Sequence, residues 1–232
     1  SLPFLMPDYA AIDALTQGEV GKSLFQTLDK AGVVPLAWGE NGYREISNSK
    51  KEIKSPADLK GMKIRVVGSP LFLDTFTALG ANPTQMSWSD AQPAMASGAV
   101  DGQENPLSIF TAAKLHTVSQ KYLTLWGYIA DPLIFVVNKD IWNSWTPADR
   151  EIVKQAAIDA GKEEIAIARK GMVEADKPLL KEIAANGVTV TQLSAAEREA
   201  FVKATRPVYD KWKNQIGADL VTAAEKAIAA RK

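Results

Sequence analysis

Apolar residues along the chain switch between helical and strand spacing, and the switches mark out alternating helices and strands. A short helix is predicted to begin near Asp8, and a second over residues 19–30 that stops at Gly32, a residue suited to a helix C-terminus. Residues 33–38 read as a buried strand and 44–48 as another extended piece. Met62-Lys63-Ile64-Arg65-Val66-Val67 alternates apolar and charged positions, the period-two pattern of a strand. Pro70 opens a helix that runs to Leu79 and ends at Gly80. There follow a strand over 83–86, a helix over 89–95, a glycine-bracketed strand over 99–101, and extended runs over 122–128 and 133–137. Residues 147–185 read as one long helical stretch, with Thr146 as N-cap, Pro147 in the first position and Asp149 and Glu151 in the first turn. Ile152, Val153, Ala156, Ala160, Ile165, Ala168, Met172 and Val173 supply its apolar stripe, and Pro178 predicts a kink or break. A strand over 188–191 and helices over 195–212 and 218–229 complete the pattern.

Alternation of this kind is the signature of an α/β fold, and 232 residues suffice for one large or two modest domains. The chain carries 27 basic and 27 acidic side chains, so the positive excess that nucleic-acid binding needs is missing. Even the basic cluster of Lys50, Lys51 and Lys54 is interrupted by Glu52. No apolar run approaches the ~20 residues of a membrane span, and no targeting peptide is evident. With no cysteine there are no disulfides, thiol nucleophiles or cysteine-ligated metals. Leu2-Pro3-Phe4-Leu5-Met6-Pro7 is apolar from the second residue and is expected to pack against material upstream.

Catalysis finds little support. The single histidine, His116, excludes a zinc site built mainly from histidine. Glycine-rich nucleotide loops and the nucleophile elbow of serine hydrolases do not occur. No enzyme, cofactor or metal site is therefore expected. Asp101 and Glu104 read as either a carboxylate pair or part of a cation site, but without the ligand spacing of a calcium loop. Arg65 lies opposite Ile64 and Val66 on its strand, and a charge on a central strand needs a partner. That partner is either an internal carboxylate or a ligand carboxylate held by two parallel hydrogen bonds. Asn105, before Pro106, fits a helix N-cap or an amide donor to an anion at that helix terminus. Trp38, Tyr43, Trp88, Trp126 and Tyr128 sit at strand ends or in loops, where they serve either core packing or the walls of an apolar pocket.

Ordered motifs add to this reading. Leu2-Pro3-Phe4-Leu5, Glu40-Asn41-Gly42-Tyr43-Arg44 and Asp58-Leu59-Lys60-Gly61-Met62-Lys63-Ile64-Arg65-Val66 are followed by Leu79-Gly80-Ala81-Asn82-Pro83. Then come Val100-Asp101-Gly102-Gln103-Glu104-Asn105-Pro106-Leu107 and Tyr122-Leu123-Thr124-Leu125. With these motifs the chain resembles the periplasmic solute-binding subunits of TRAP transporters, the DctP-like family. The resemblance implies a two-lobe, periplasmic-binding-protein-like architecture with a long helix spanning the hinge, closing over an organic acid. The expected lobes are residues 1–42 with 130–172, incomplete because relatives continue upstream, and 43–129 with 173–232. The resemblance also implies that Arg65 pairs with the ligand carboxylate, Asn105 and Arg44 complete its shell, and Trp88 is a pocket aromatic. Trp126-Gly127-Tyr128 departs from the family pattern, with larger rings than many relatives carry. With Tyr43, Trp126 and Tyr128 as further pocket walls, the expected ligand is an aromatic or bulky monocarboxylate, favoured narrowly over a C4-dicarboxylate. The expected setting is periplasmic, as a monomer whose partners are the TRAP membrane subunits. The alternatives are an enzyme acting on an organic acid with Glu40 or Glu104 as base, and a truncated remnant that binds partners without ligand.

Overall fold

The computed structural model describes residues 2–231. The chain begins with α1 (Tyr9–Gln17) and α2 (Glu19–Leu28), followed by β1 (Val33–Asn48), β2 (Lys63–Val66), α3 (Pro70–Ala78) and β3 (Asn82–Gln85). Next come α4 (Trp88–Ser97), β4 (Gly102–Asn105), α5 (Leu107–Ala112) and β5 (Tyr122–Asn138). It ends with α6 (Lys139–Ser144), α7 (Pro147–Arg169), α8 (Pro178–Ala185), β6 (Thr189–Gln192), α9 (Ala195–Ile216) and α10 (Ala218–Ala229).

Four expectations change. The pieces at 33–38 and 44–48 are one 16-residue strand, and those at 122–128 and 133–137 are one of 17 residues. The polar residues read as interruptions have distant partners: Glu40 is held by Arg169, and the Asn41 amide donates to Asp131 at 3.0 Å. The long helical stretch breaks before its proline, because α7 stops at Arg169 and Gly171 turns the chain with φ 82°. Pro178 instead opens α8, where a missing backbone donor costs nothing. The strand expected at 99–101 lies one step later, as β4; Gly102 belongs inside it.

Among the described residues the chain divides into two compact units. The larger holds residues 2–5, Tyr43–Ile129 and Gly171–Ile216, and the smaller holds Met6–Gly42, Ala130–Lys170 and residues 217–231. Three segments fall opposite to expectation, the short piece 171–172 among them, which belongs to the larger unit. Residues 2–5 join the larger unit, where the Phe4 N–H donates to the Tyr128 carbonyl and its ring meets Trp126 and Tyr128 edge-on. The α10 helix joins the smaller unit and packs on α1 and α2.

The sheet has the order β3-β2-β4-β1-β5-β6. Strand β2 runs parallel to β3 and β4, β4 is antiparallel to β1, and β6 is parallel to β5. In the larger unit one apolar cluster gathers Ala91, Met95, Leu107, Phe110, Leu123 and Ile183. Side chains alternate along a strand, so Trp126 and Tyr128 turn away from Leu123 and meet the rings of Phe76 and Phe201. In the smaller unit Arg169, at the end of α7, forks onto Asp13 and Glu40 and stacks 4.7 Å from the Tyr9 ring. Glu164, one turn earlier, accepts the Glu40 N–H at 2.6 Å.

Gly102 shows how closely β4 is confined. A Cβ there would lie 2.3 Å from the Ser47 carbonyl oxygen and 2.9 Å from the Asn48 Cβ. Gly102→Ala is expected to destabilise the protein by ~1–3 kcal/mol, the usual cost of overpacking, measured as a lower urea midpoint. An unchanged midpoint would contradict the close packing of β4 on β1.

Candidate functional site

The geometry begins with Arg65. On β2 it stands in register with Thr84 on β3 and Gln103 on β4, and it is 4% exposed. Its Nε and Nη2 both donate to the Met86 carbonyl, at 3.1 and 2.9 Å, and its guanidinium carbon sits 5.4 Å from the Trp88 ring centre. Among the described residues no carboxylate lies within ion-pair distance of it. A guanidinium carries five N–H donors, and a backbone carbonyl brings no neutralising charge. Burial pushes the Arg65 pKa below its ordinary value; nearby Glu104 and Tyr128 oppose that shift, and Arg44 adds to it. Of the two partners open to Arg65 from the sequence, the internal carboxylate is not found among the described residues.

Arg44 is different. It is 3% exposed and forks onto the Glu104 carboxylate: Nε contacts Oε2, and Nη2 lies 3.0 Å from Oε1. Nη2 also donates to the Glu104 carbonyl at 2.8 Å and to Asn105 Oδ1 at 3.2 Å. The Tyr128 hydroxyl donates to Glu104 Oε2 at 2.6 Å, and Phe72 faces the Arg44 guanidinium at 5.4 Å. The positive charge of Arg44 is thus balanced inside the fold.

Asn105 closes β4 rather than capping a helix; Pro106 takes the cap position of α5. Its Nδ2 donates to Gln103 Oε1 at 2.6 Å. Gln103 Nε2 donates to Ser47 Oγ at 2.9 Å, and Ser47 donates to Gln120 Oε1 at 2.8 Å. Sequence reasoning missed Gln103, Ser47 and Gln120. The available signal was Ser47 next to apolar Ile46 in β1 and the unbroken polar run Gln103-Glu104-Asn105 in β4.

The remaining sequence candidates divide. Trp88 is half-buried beside Arg65, and Tyr43 is half-buried with its ring 3.8 Å from where a Cβ on Gly127 would stand. Trp126 and Tyr128 are 1% and 0% exposed within the Phe4, Phe76 and Phe201 cluster, which makes them core side chains in this geometry. Asp101 and Glu104 part company: Asp101 accepts the Lys63 N–H at 2.9 Å, while Glu104 holds Arg44. A cavity of about 420 Å³, lined among others by Phe110, Lys114, His116 and Glu182, contains none of the candidate residues.

Glu45 introduces a titration. Its Oε2 accepts the N–H groups of Trp126 and Gly127 at 2.7 and 2.9 Å. Burial pushes its pKa up to about 8, against the lowering effect of those two hydrogen bonds and of Arg198 and Lys177.

Comparison with known proteins places this geometry in a group. Residues 1–215 match the DctP family model, described as bacterial extracellular solute-binding protein, family 7. A solute-binding protein of Verminephrobacter eiseniae is 37% identical over 216 residues, covering 93% of this chain and 62% of that protein. The C4-dicarboxylate-binding periplasmic protein DctP of Rhodobacter capsulatus is 34% identical over 231 residues, covering 98% of this chain and 67% of that protein. The crystal structure of a TRAP periplasmic solute-binding protein from Ralstonia eutropha superposes with a TM-score of 0.98 at 76% identity, over 99% of this chain and 73% of that one. It holds (S)-2-acetolactate. The chain therefore spans roughly two thirds of the length of these relatives.

The titration of Glu45 yields a prediction. Between its unfolded value of 4.5 and its folded value of about 8, the folded state holds a proton that the unfolded state has released. Stability must fall as pH rises through that window, by at most ~1.4 kcal/mol per pH unit. Glu45→Gln keeps an oxygen for both N–H groups and removes the titration. Its melting temperature is expected to vary less with pH across the window than that of the wild type; equal slopes would contradict the burial of an ionisable group there.

Proposed function

The chain belongs to family 7 of the bacterial extracellular solute-binding proteins, and we propose that it serves a TRAP transporter by capturing a small organic acid through its carboxylate. The observation that carries this reading is Arg65, a buried guanidinium stacked on Trp88 with no carboxylate partner among the described residues. A ligand carboxylate completes it. Two or three charge-assisted hydrogen bonds contribute roughly 1.5–3 kcal/mol each. Together with burial they reach ~8 kcal/mol, a micromolar dissociation constant.

The ligand class we propose is a compact, branched 2-hydroxy or 2-oxo monocarboxylate. The acid bound by the Ralstonia eutropha protein supports it. So does the charge balance: the second buried arginine beside Arg65 is neutralised by Glu104, which leaves one buried cation in the larger unit for one carboxylate. The case for an aromatic ligand weakens, since Trp126 and Tyr128 pack in the core and, among the described residues, Trp88 is the one ring beside Arg65. Binding without turnover fits the two acids considered as bases, because Glu40 and Glu104 are both tied to arginines. Relatives named periplasmic and TRAP solute-binding support a periplasmic setting with the TRAP membrane subunits as partners; that the protein acts as a monomer is part of our proposal. No helix among the described residues is long and apolar enough to cross a membrane.

Thermal-shift titration of the protein with acetolactate, succinate, galactonate and mandelate, repeated on Arg65→Ala, tests the reading. A ligand at 100 times its dissociation constant stabilises by ~2.7 kcal/mol. The expected result is a shift with acetolactate that Arg65→Ala abolishes. An equal shift in both proteins removes Arg65 from the site, and a response confined to succinate or mandelate overturns the ligand class.

A further inference from the structure

Two consecutive backbone N–H groups on β5, those of Trp126 and Gly127, point at one oxygen, Glu45 Oε2, at 2.7 and 2.9 Å. In a regular strand successive N–H groups point to opposite edges, so this convergence needs a local reversal of the chain. Gly127 supplies it, with φ 55° in the left-handed region that glycine enters freely. The carbonyls of the same two residues are held from α9. Arg198 donates from Nε to the Trp126 oxygen at 3.1 Å and from Nη2 to the Gly127 oxygen at 3.3 Å, with its guanidinium carbon 4.9 Å from the Phe4 ring centre. Every backbone polar group of residues 126 and 127 is thus gripped by one of two side chains. The next residue, Tyr128, is 0% exposed and donates through its hydroxyl to Glu104, which holds Arg44. All of these residues belong to the larger unit.

We propose that Glu45 is a proton-operated clamp on this kink: with its proton it keeps Tyr128 in line with Glu104, and without it the kink loosens and ligand capture weakens. The proposal goes beyond the effect of Glu45 on stability, and it rests on the carboxylate reading of the Arg65 site. The surroundings set the direction. Burial disfavours the ionised form and prevails over the two N–H groups, Arg198 and Lys177, the last of these just ahead of α8, so the folded protein keeps Glu45 protonated up to about pH 8. On β4 the residue in register is Asn105, which does not titrate, and the neighbouring Arg44 is committed to Glu104. A neutral carboxyl oxygen has two lone pairs for the two N–H groups. A carboxylate in the same place is a buried charge, and among the described residues no guanidinium or ammonium lies within ion-pair distance of it. It is relieved by drawing Arg198 off the carbonyls or by admitting water, and either change frees residues 126 and 127.

Calorimetric titration with acetolactate between pH 6 and pH 9, on the wild type, Glu45→Gln and Arg198→Gln, tests the clamp. The ligand carboxylate stays ionised throughout, and other groups that titrate in this span are common to the wild type and Glu45→Gln. Wild-type affinity is expected to fall about fivefold across the span, roughly one net hydrogen bond. Glu45→Gln keeps an acceptor oxygen and cannot ionise, so it is expected to hold its pH 6 affinity. A flat wild-type profile, or an equal fall in Glu45→Gln, overturns the proposal. Arg198→Gln removes a charge that favours ionisation, so its fall is expected at higher pH; an unmoved or lowered midpoint overturns the proposal, and this arm survives if Glu45→Gln does not fold. A second readout needs no ligand. Amide exchange at Trp126 and Gly127 is expected to match in the wild type and Glu45→Gln at pH 6 and to be faster in the wild type at pH 9. Equal exchange at pH 9 overturns the clamp, whereas the expected difference with no acetolactate binding at any pH overturns the carboxylate reading instead.

Discussion

A buried guanidinium with no carboxylate partner among the described residues is the constraint on which the rest of the candidate site depends. Burying a charge is costly unless it is paired and hydrogen-bonded. Arg65 has only partial compensation, from the Met86 carbonyl and the Trp88 ring. The surrounding sheet tolerates this because the neighbouring arginine is treated in the opposite way. Arg44 is fully balanced by Glu104, and Glu104 is in turn hydrogen-bonded by Tyr128. One arginine is thereby committed to the fold while the other is available to an anion. On the proposed function, a ligand carboxylate gains from relieving a charge that folding left in the low-dielectric interior.

The same division explains the polar strands. Ser47, Gln103 and Asn105 would weaken an ordinary buried strand, yet each donates to or accepts from the next. Networks of this kind rigidify the strands that carry them, although among the described residues Gln120 Nε2, at the end of this one, has no hydrogen-bond partner. Gly102 allows β4 to approach β1 closely enough for the network to close, its missing side chain leaving room for the Ser47 carbonyl.

Local chemistry made much of the fold legible. Thr146 accepts the Asp149 N–H as a helix cap, Pro147 follows it, and Gly32 and Gly98 end their helices in the left-handed region. Distant partners hid the rest. Asn41 and Asp131 read as breaks in two strands, but they hydrogen-bond each other across 90 residues of sequence and let both strands continue. At the site, the alternation around Arg65 exposed a charge in need of a partner, and the ordered motifs pointed to a carboxylate. The ion pair of Arg44 was hidden because its partner Glu104 lies 60 residues away. Trp126 and Tyr128 show a simpler ambiguity: an aromatic ring at a strand end has the same sequence signature in a pocket wall as in a core, and here both rings meet Phe4 and Phe76, and Trp126 also meets Phe201.

The central claim is that ligand recognition rests on a full negative charge meeting Arg65. Calorimetric titration of the protein with acetolactate and with its methyl ester tests this most directly, because the ester keeps the shape and removes the charge. The account predicts that the acid binds and that the ester binds at least roughly a hundredfold more weakly, the ratio expected for losing a charge-assisted pair at a buried site. Equal affinity for acid and ester would contradict it.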